Sequence, residues 1–312
     1  MKFAVTGASG FVASNLLNVL DEMRIEYIGL SRAAPSTSLA SERIIFVDYA
    51  DPILLESALN GVDVVVHLAG LAHKKLPIHS SRLLLYRANV DCLKRICEAS
   101  LNQGVRKIIY ISSIGVLGAS TSGLPFDDFS SVNPHNHYAE SKYEAELMLS
   151  NYASSDSLDY LILRPPLVYG ERCPGNLAKL INFIKASPIV PFGDLCNRRS
   201  FMFVDNLINA IIAASFSSVA LNCSYVLSDC VDISLRTVVL SLLDGLGKSN
   251  SRLVSCDPKL LAACFMLLGK KHIFDQLSTE LLVDASRFRL DTNWSPCVHP
   301  VDALRLTAAS FA

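Results

Sequence analysis

Residues 6–14 read TGASGFVAS and place two glycines three positions apart, directly after an apolar run. The run KFAVTG (2–7) has the composition of a short buried strand, and FVASNLLNVLDEM (11–23) has the spacing of a helix. Glycines between such a strand and helix allow a tight turn and let the backbone approach a pyrophosphate at the helix N-terminus. The position of the pattern therefore predicts a dinucleotide site rather than a plain turn.

Strand-like and helical segments alternate through the first half of the chain. Further strands are predicted at 25–32, 43–49, 62–70, 106–113 and 159–166, and helices at 51–61, about 80–103 and about 136–153. Continuous apolar runs such as Val64-Val65-Val66 indicate parallel strands that are buried on both faces. We therefore expect an α/β fold of the Rossmann type, in which helices cover both faces of a doubly wound parallel sheet.

The pattern becomes less regular after about residue 170, with PIVPFGD and several short helical segments. We predict an NAD(P)-binding Rossmann domain at 1–169, to which some later segments return, and a smaller C-terminal α/β substrate lobe at 170–312. The sequence contains no flexible linker, so we expect the two lobes to pack tightly.

Charge and cysteine content exclude several classes of protein. The 312 residues include 28 basic and 29 acidic side chains, with a net charge of −1 and no long run of either sign. Nucleic acid therefore has no electrostatic footprint to bind. The nine cysteines include no Cys-x-x-Cys pair, which predicts neither a disulfide scaffold nor a metal site. This cysteine usage favours a reducing compartment, and we expect a cytoplasmic protein.

The sequence predicts no membrane span. The N-terminal MKFAVTGASG lacks the apolar core of roughly 7–15 residues that a secretory signal has. No apolar run reaches the roughly 20 residues that a spanning helix needs. The nearest is LLAACFMLLG (260–269), which Lys259 and Lys270 flank. We expect it to form a buried helix of the second lobe, with shallow contact to a membrane surface as the alternative.

The end of the second predicted strand bears on the cofactor. A carboxylate at this place bonds the ribose 2′-hydroxyl of NAD, whereas an arginine accommodates the 2′-phosphate of NADP. The chain reads GLSR (29–32), so Ser31 and Arg32 occupy the position and no acid does. This favours NADP; the alternative is that Arg32 simply points to solvent. Asp48, directly after IIFV (44–47) in the third predicted strand, is placed to meet the adenine edge.

Tyr138 and Lys142 lie four residues apart in NPHNHYAESKYEAEL (133–147), so they share one face of the predicted helix. Ser112 and Ser113 end a predicted strand, and ligands of such sheets bind beyond the carboxyl ends of strands. A phenol with a pKa of about 10 is a poor base near neutrality, but a nearby ammonium favours the phenolate. A serine hydroxyl can orient the oxygen of an alcohol or ketone. These residue types predict hydride transfer with Tyr138 moving the proton.

The motifs TGASGFVAS, HLAG, ISSIGVLG, YAESK and LRPPLVYG resemble those of the extended short-chain dehydrogenase/reductase superfamily, in its NAD-dependent epimerase/dehydratase family. Within it, RPPLVYG, GNLAKLI and PFGDLCNRRSFMFVDNL resemble the UDP-glucose 4-epimerase-like branch. Members of that branch are associated with sugars of bacterial surface polysaccharides, including N-acetylated ones. The resemblance covers almost the whole chain and implies that the lobe at 170–312 binds a nucleotide sugar.

The resemblance also implies the roles of single residues. It makes Tyr138 the catalytic acid/base, Lys142 its partner and ribose ligand, and Ser113 the catalytic serine. It implies that Asn89 braces the helix of the active site. The predicted cofactor contacts are Gly7, Ser9, Gly10, Phe11, Val12, Ser31, Arg32, Asp48, Tyr49, Leu68, Ala69, Gly70, Asn89, Tyr138, Lys142 and Pro165. The predicted substrate contacts are Ser112, Ser113, Asn176 and Arg199, and no metal is expected.

Several of these residues have a second interpretation. Arg199 either holds the substrate diphosphate through two parallel donors or forms an ordinary surface ion pair. Asn176 either contacts the same diphosphate or caps a helix. His135 and His137 flank Tyr138 and have either a loop role or a substrate contact. His67 is predicted to be a core or backbone-bonded histidine at a strand end. A predicted lid loop follows HLAG and contains His73, Lys74 and Lys75, for which a substrate contact and a plain loop role are equally open.

Two reactions at C4 of a UDP-hexose or UDP-N-acetylhexosamine fit these motifs. In the lead hypothesis a tightly held NAD serves a UDP-sugar 4-epimerase; in the alternative NADPH reduces a UDP-4-keto-6-deoxy sugar. The resemblance to the 4-epimerase-like branch favours the epimerase, and Ser31 with Arg32 favours the reductase. Gly115 and Leu117 stand where many epimerases have a threonine and a tyrosine, which leaves the final reaction open.

Two further hypotheses are weaker. A 4,6-dehydratase needs an extra acid and base, and the Asp-Glu pair that dehydratases have near the serine has no counterpart in SSIGVLG. A non-catalytic dinucleotide-binding sensor is disfavoured because Tyr138, Lys142 and a serine are all present. Members of the family often dimerise through the helices that correspond to about 80–103 and 136–153, so the resemblance implies a homodimer.

Overall fold

The computed structural model describes residues 1–32, 43–72, 81–155, 158–218 and 221–312. Parallel strands of these residues form one seven-stranded sheet. From edge to edge its strands are β10 (Cys223–Val226), β6 (Asp159–Arg164), β5 (Lys107–Ile111), β4 (Val64–His67), β1 (Lys2–Thr6), β2 (Glu26–Ser31) and β3 (Ile44–Phe46). The order reverses between β4 and β1, which is where doubly wound sheets bind their ligands. The predicted fold class is confirmed.

The helices and the short strands outside this sheet follow in chain order. The helices are α1 (Phe11–Glu22), α2 (Pro52–Leu59), α3 (Ser81–Tyr86), α4 (Cys92–Asn102), α5 (His137–Ser155), α6 (Asn176–Ala186), α7 (Val204–Phe216), α8 (Leu235–Gly245), α9 (Pro258–Leu267), α10 (Lys271–Ser278), α11 (Ser286–Thr292) and α12 (Pro300–Ala309). The short strands pair as β7 (Val168–Tyr169) with β9 (Met202–Phe203) and β8 (Arg198–Arg199) with β11 (Ile233–Ser234).

Helices cover both faces of the sheet. α1 packs against α7 on one face, and α4 packs against both α2 and α5 on the other. Alternate residues of a strand serve the two layers: Val64 and Val66 belong to the apolar cluster that contains α1 and α7, and Val65 belongs to the cluster that contains α2, α4 and α5. The strands read as continuous apolar runs because both of their faces are buried.

Segments from the second half of the chain complete the sheet. β10 pairs in parallel with β6, and α7 packs against β5. The apolar cluster that contains Phe3 of β1 extends as far as Leu304 of α12. The predicted lobes, 1–169 and 170–312, therefore share a core, and the division between them stays a prediction.

The helical stretch predicted at about 80–103 is interrupted. α3 ends at Tyr86, a π-helical turn spans Arg87–Asp91, and α4 begins at Cys92. Single π-helical turns inside helices frequently mark functional sites. This one carries Asn89 into the buried interior.

The apolar segment 260–269 forms most of α9, and the prediction of a buried helix is wrong. Leu261 is the only buried residue of α9, whereas the side chain of Leu267 is 85% exposed. A run that is apolar on all sides gives no sign that just one of its faces packs on the lobe. Among the described residues, none of the helices is long and apolar enough to cross a membrane.

Candidate active site

The glycine turn between β1 and α1 is closed by backbone contacts. Gly7 has φ +71°, and a Cβ there would lie 2.9 Å from Cα of Ala69, so a larger residue does not fit. The amide of Gly7 donates to the hydroxyl of Tyr49 (3.1 Å), and that hydroxyl donates to the carbonyl of Leu30 (3.0 Å). The hydroxyl of Tyr49 thus links the glycine turn to the end of β2. Burial raises the pKa of the Tyr49 phenol to about 12.

Thr6 links β1 to the end of β4, the two strands between which the strand order reverses. Its Oγ1 accepts from the amides of Leu68 and Ala69, both at 3.1 Å. Because Oγ1 already accepts twice, its proton goes to Nδ1 of His67, 3.0 Å away. Burial lowers the pKa of His67 to about 3, so the ring is neutral, and the prediction of a core histidine is confirmed. The HLAG segment is thereby fixed against the glycine turn.

Polar side chains lie at the ends of β2 and β3, beside the glycine turn. Ser31 ends β2 and is buried, and its hydroxyl donates to Oγ of Ser9 in the glycine turn (3.2 Å). The next residue, Arg32, is exposed. Asp48 is also exposed, and its carboxylate accepts from the amide of Ala50 (2.9 Å). Among the described residues, β2 ends at Ser31 and is followed by Arg32 and not by a carboxylate, as the sequence indicates.

Two serines follow β5. Oγ of Ser113 accepts from the amide of Gly115 (3.1 Å) and begins a 3-10 turn at Ile114–Val116. Ser112 is buried, and its Oγ has no hydrogen-bond partner in the described part of the chain. The amide of Ile114 donates to the carbonyl of Pro165 (2.9 Å), which ties this turn to the end of β6.

Tyr138 and Lys142 lie in the first two turns of α5. Tyr138 is half-buried, and desolvation raises the pKa of its phenol to about 12. The ammonium of Lys142 donates to the carbonyl of Ile111 (2.8 Å) and lies 4.7 Å from the ring centroid of Tyr110. Desolvation lowers the pKa of Lys142 to about 8, and the carboxylate of Glu146 opposes this shift. The expected lowering of the pKa of Tyr138 by Lys142 is not present in this structure.

Asn89 connects the HLAG segment to α5. Its Oδ1 accepts from the amide of Leu71 (2.9 Å), and its Nδ2 donates to Oγ of Ser141 (2.8 Å). A Cβ on Gly70 would lie 2.8 Å from Oδ1 of Asn89 and 3.6 Å from Nζ of Lys142. Three predicted cofactor contacts, Gly70, Asn89 and Lys142, therefore converge at one place.

Arg199 and Asn176 lie on β8 and α6 and share a neighbour in α10. Nη1 of Arg199 donates to the carbonyls of Gln276 (2.7 Å) and Thr279 (3.1 Å), and desolvation lowers the pKa of the guanidinium. Nδ2 of Asn176 donates to Oε1 of Gln276 (3.3 Å), and Oδ1 accepts from Lys179. Neither alternative prediction survives: within the described ranges Arg199 has no ion pair, and Asn176 is the first residue of α6, whose N-cap residue is Gly175 and which has no side-chain cap.

Of the histidines beside Tyr138, His135 lies in the loop before α5 and His137 is the first residue of that helix. Nδ1 of His135 lies 3.2 Å from the carbonyl of Gly115, and its Cε1 would be 3.1 Å from a Cβ on that glycine. His137 pairs with Glu140 at the helix surface (3.0 Å). His135 thus fills the space that the missing side chain of Gly115 leaves. His73, Lys74 and Lys75 lie outside the described residues.

The glycine turn fits a dinucleotide. Its backbone permits no side chain at Gly7, and α1 begins at Phe11 with Gly10 as its N-cap residue and no side-chain cap, which leaves its first amides for an anion. The sequence profile of the NAD dependent epimerase/dehydratase family matches residues 3–221. The chain belongs to the NAD-dependent epimerase/dehydratase family. It is therefore an NAD(P)-dependent enzyme of the extended short-chain dehydrogenase/reductase type.

Relatives of this epimerase/dehydratase support the assignment along the whole chain. UDP-glucose 4-epimerase of Vibrio cholerae is 31% identical over 314 aligned positions, which cover 98% of this chain and 94% of the relative. N-acetyl-alpha-D-glucosaminyl-diphospho-ditrans,octacis-undecaprenol 4-epimerase of Escherichia coli O157:H7 is 30% identical over 208 positions, 66% of this chain and 60% of that protein. UDP-glucose 4-epimerase of Thermotoga maritima, solved with UDP-glucose, has a TM-score of 0.78 at 20% identity, covering 100% and 98% of the two chains, and shows the same fold.

Sequence reasoning about this family member missed its buried polar contacts. It did not find the hydroxyl of Tyr49 under the glycine turn, the role of Thr6, or the ion pair between Glu146 and Arg164. A signal for the last was available: Glu146 lies four residues after Lys142 on α5, and Arg164 ends β6, where the sheet meets that helix.

Proposed function

We propose that the protein catalyses oxidoreduction at C4 of a UDP-hexose or UDP-N-acetylhexosamine, as a UDP-sugar 4-epimerase of surface-polysaccharide sugar synthesis. The observation that carries the proposal is the approach of α5 to the carboxyl ends of β4 and β5: a Cβ on Gly70 would lie 3.6 Å from Nζ of Lys142, and a Cβ on Gly115 would lie 3.4 Å from Oγ of Ser113 and 3.6 Å from Cβ of Ala139, the residue after Tyr138. The match to the Vibrio cholerae 4-epimerase along almost the whole chain supports the reaction.

In this proposal Tyr138 moves the proton of the C4 hydroxyl. When bound, NAD supplies the hydride acceptor for C4 and a positive ring charge, which favours ionisation of a nearby phenol. The phenolate of Tyr138 then takes the proton, and in the second half of the reaction the phenol returns it. Epimerisation requires that the 4-keto sugar turns over in the site, so that the hydride returns to the opposite face of C4 while Tyr138 returns the proton to the C4 oxygen.

Ser113 and Lys142 prepare the site for this transfer. Oγ of Ser113 already accepts from the amide of Gly115, so its own proton can be donated to the C4 oxygen. Lys142 is held by the carbonyl of Ile111 with two donors remaining for a ribose. Asn89 fixes the start of α5 through Ser141 and so positions Lys142. We also assign the other predicted cofactor contacts to the dinucleotide, as the family resemblance implies.

Arg199 and Asn176 are proposed to hold the diphosphate of the substrate. Both side chains converge on Gln276 of α10, and the guanidinium is partly desolvated, which strengthens its attraction to phosphate oxygens. Ser112, with its unpartnered buried hydroxyl among the described residues, is proposed as a further contact to the sugar.

A reductase of a UDP-4-keto-6-deoxy sugar is the second candidate. It is favoured by the end of β2, where the buried Ser31 and the exposed Arg32 stand at the position at which a carboxylate bonds the ribose of NAD. In that reaction NADPH is consumed once per turnover, and Tyr138 acts only as the acid.

We further propose a cytoplasmic homodimer. Within the described residues, which include every cysteine of the chain, all nine thiols are free, as a reducing compartment favours. α3 and α5 expose Leu83, Tyr86 and Leu147 on the surface that the family resemblance implies for the dimer. Sedimentation of the purified protein tests this assembly.

The function is tested by the nucleotide that the protein carries. The protein is purified without added cofactor and denatured, and any released nucleotide is identified. Stoichiometric NAD, with interconversion of the C4 epimers of UDP-glucose or UDP-N-acetylglucosamine, is the result expected of an epimerase. An empty protein that binds NADPH well ahead of NADH, with no epimer formed, would replace the epimerase by the reductase.

A further inference from the structure

Helix α9 exposes an apolar face to water. Leu260, Cys264 and Leu267 are spaced at four and three residues, so they lie on one side of the helix, and the exposed side chains of Met266 and of the C-cap residue Leu268 add apolar surface at its C-terminal end. All five side chains are exposed, Leu260 by 61% and Leu267 by 85%. We call these five residues the α9 apolar face.

The adjoining side of the same helix, one residue further round, already has its partners. Leu261 is buried in the main apolar cluster, and the ring of Phe265 packs on Phe274 of α10 with centroids 5.8 Å apart. The α9 apolar face is therefore not needed to hold the helix on the lobe. Contiguous apolar surface of this kind marks a site of interaction.

The charged residues of the segment that carries this face are of one sign. Residues 259–273 contain Lys259, Lys270 and Lys271 and no acidic residue, and all three lysines are exposed. The nearest acids in the sequence lie outside that segment: Asp257 caps α9 through the amide of Lys259, and Asp275 lies on α10. An apolar surface framed by lysines complements an anionic lipid headgroup layer above an acyl interior.

We propose that the α9 apolar face docks the protein on the surface of an anionic lipid bilayer. The apolar side chains enter the interface, and the three lysines contact the headgroups. A second copy of the chain fits this face less well, because a two-fold contact would bring the lysines of the two copies together. The helix is too short to span the bilayer, so the contact is peripheral and reversible.

The position of the face gives the contact a consequence for the substrate. α10 follows α9 directly, and the carbonyls of Gln276 and Thr279 at its end receive the guanidinium of Arg199. If Arg199 holds a diphosphate, which rests on the proposed function, docking brings that subsite to the membrane surface. Bilayer binding itself depends only on α9 and its lysines.

Vesicle sedimentation with the full-length protein tests the docking. We expect the protein to sediment with phosphatidylglycerol-containing vesicles, not with vesicles of phosphatidylcholine alone, and to be released by salt. Leu267→Asp should weaken this partition at least about tenfold. Leu290→Asp is the matched control, since Leu290 is a helical leucine of α11 that is 83% exposed and lies outside the face; it should bind as the unmodified protein does.

Two further measurements separate a failure of lipid docking from a failure of the proposed reaction. Lys270→Glu with Lys271→Glu should reduce binding to anionic vesicles and remove its salt dependence. UDP-sugar turnover by Leu267→Asp in the absence of vesicles should be unchanged, so a failure of docking and a failure of the proposed reaction are seen independently. Equal binding by Leu267→Asp and Leu290→Asp overturns the proposal. So does a dimer in solution that Leu267→Asp abolishes, since a second copy then covers the face.

Discussion

Arg164 and Glu146 form a buried bidentate ion pair that joins β6 to α5. Nε of Arg164 lies 3.0 Å from Oε1 of Glu146, and Nη2 lies 2.6 Å from Oε2. Glu146 is one helical turn beyond Lys142, so the pair fixes the part of α5 that carries the proposed catalytic lysine. A buried pair of this kind sets position more than it adds stability, because desolvation of both charges offsets their attraction.

Breaking this pair should be costly. Glu146→Gln leaves the charge of Arg164 buried without a counter-charge, and we expect a loss of about 3–5 kcal/mol in the free energy of unfolding, measured in urea. The double variant Glu146→Leu with Arg164→Leu should recover most of that loss. The control is the surface pair of Arg106 and Asp63, where Arg106→Met should cost less than about 1 kcal/mol. Equal costs for Glu146→Gln and Arg106→Met would contradict this account.

The charge of Lys142 should limit activity at alkaline pH. Its pKa is lowered to about 8, so the ammonium is complete well below pH 8 and is lost as the pH rises through that value. Activity that needs the ammonium should therefore fall above about pH 8. Because Glu146 raises the pKa of Lys142, Glu146→Gln should move this fall to lower pH. The measurement is kcat/KM against pH for both proteins; an unmoved alkaline limb would show that another group causes it.

Tyr138→Phe should remove proton transfer and keep the fold. We expect kcat to fall by about 100-fold or more, the usual contribution of a positioned acid/base, with cofactor affinity changed little. Turnover and nucleotide binding are measured on the same preparation. Tyr143→Phe, one turn further along α5, is the matched control and should retain activity. Loss of cofactor binding in Tyr138→Phe would instead indicate a structural role.

Gly7→Ala should damage the fold and the cofactor site together. The alanine would have to adopt φ +71° and place its Cβ 2.9 Å from backbone atoms of Ala69, so we expect a cost above the roughly 1–2 kcal/mol of the backbone conformation alone. Gly61→Ala isolates that conformational cost, because Gly61 has φ +70° and no atom within 4 Å of the added Cβ. Thermal unfolding and dinucleotide titration of both variants give the comparison; equal losses would mean that the contact with Ala69 relaxes freely.

Arg32→Ala should separate the two dinucleotides. If the exposed guanidinium contacts a 2′-phosphate, the variant loses affinity for NADPH at least about tenfold and keeps its affinity for NADH within about twofold. Equilibrium titration of the purified variant with each nucleotide provides the test. Arg106→Ala, at the other end of the parallel strands, is the control. An unchanged ratio of affinities would leave Arg32 as a solvent-exposed side chain and favour the NAD-dependent epimerase.

The elements that the sequence predicted well are those with local signals. Parallel strands buried on both faces, such as Val64–His67, appear as uninterrupted apolar runs, and the glycine turn is a continuous motif between Thr6 and Ser14. The spacing of Tyr138 and Lys142 is likewise contained within a single helix. Each of these follows from neighbours in the chain, which is why no tertiary information was needed.

The elements that escaped prediction depend on distant partners. The hydroxyl of Tyr49 reaches a glycine 42 residues away, and Glu146 pairs with Arg164 although charged residues usually lie at the surface. The exposure of α9 was not predicted for a related reason. An apolar helix is predicted to be buried whether its second face contacts the same chain, another molecule or water. Only the packed structure separates these cases.

Strand β10 also bears on how the protein is made. Synthesis delivers the N-terminus first, so β1 to β6 have left the ribosome before Cys223–Val226 exists. Until that segment arrives, β6 is an open edge with unpaired backbone groups, the kind of surface that recruits foreign strands or chaperones. The edge of β6 is therefore exposed while the ribosome adds the residues between 164 and 226. A truncated chain that is released during this interval would be prone to aggregation.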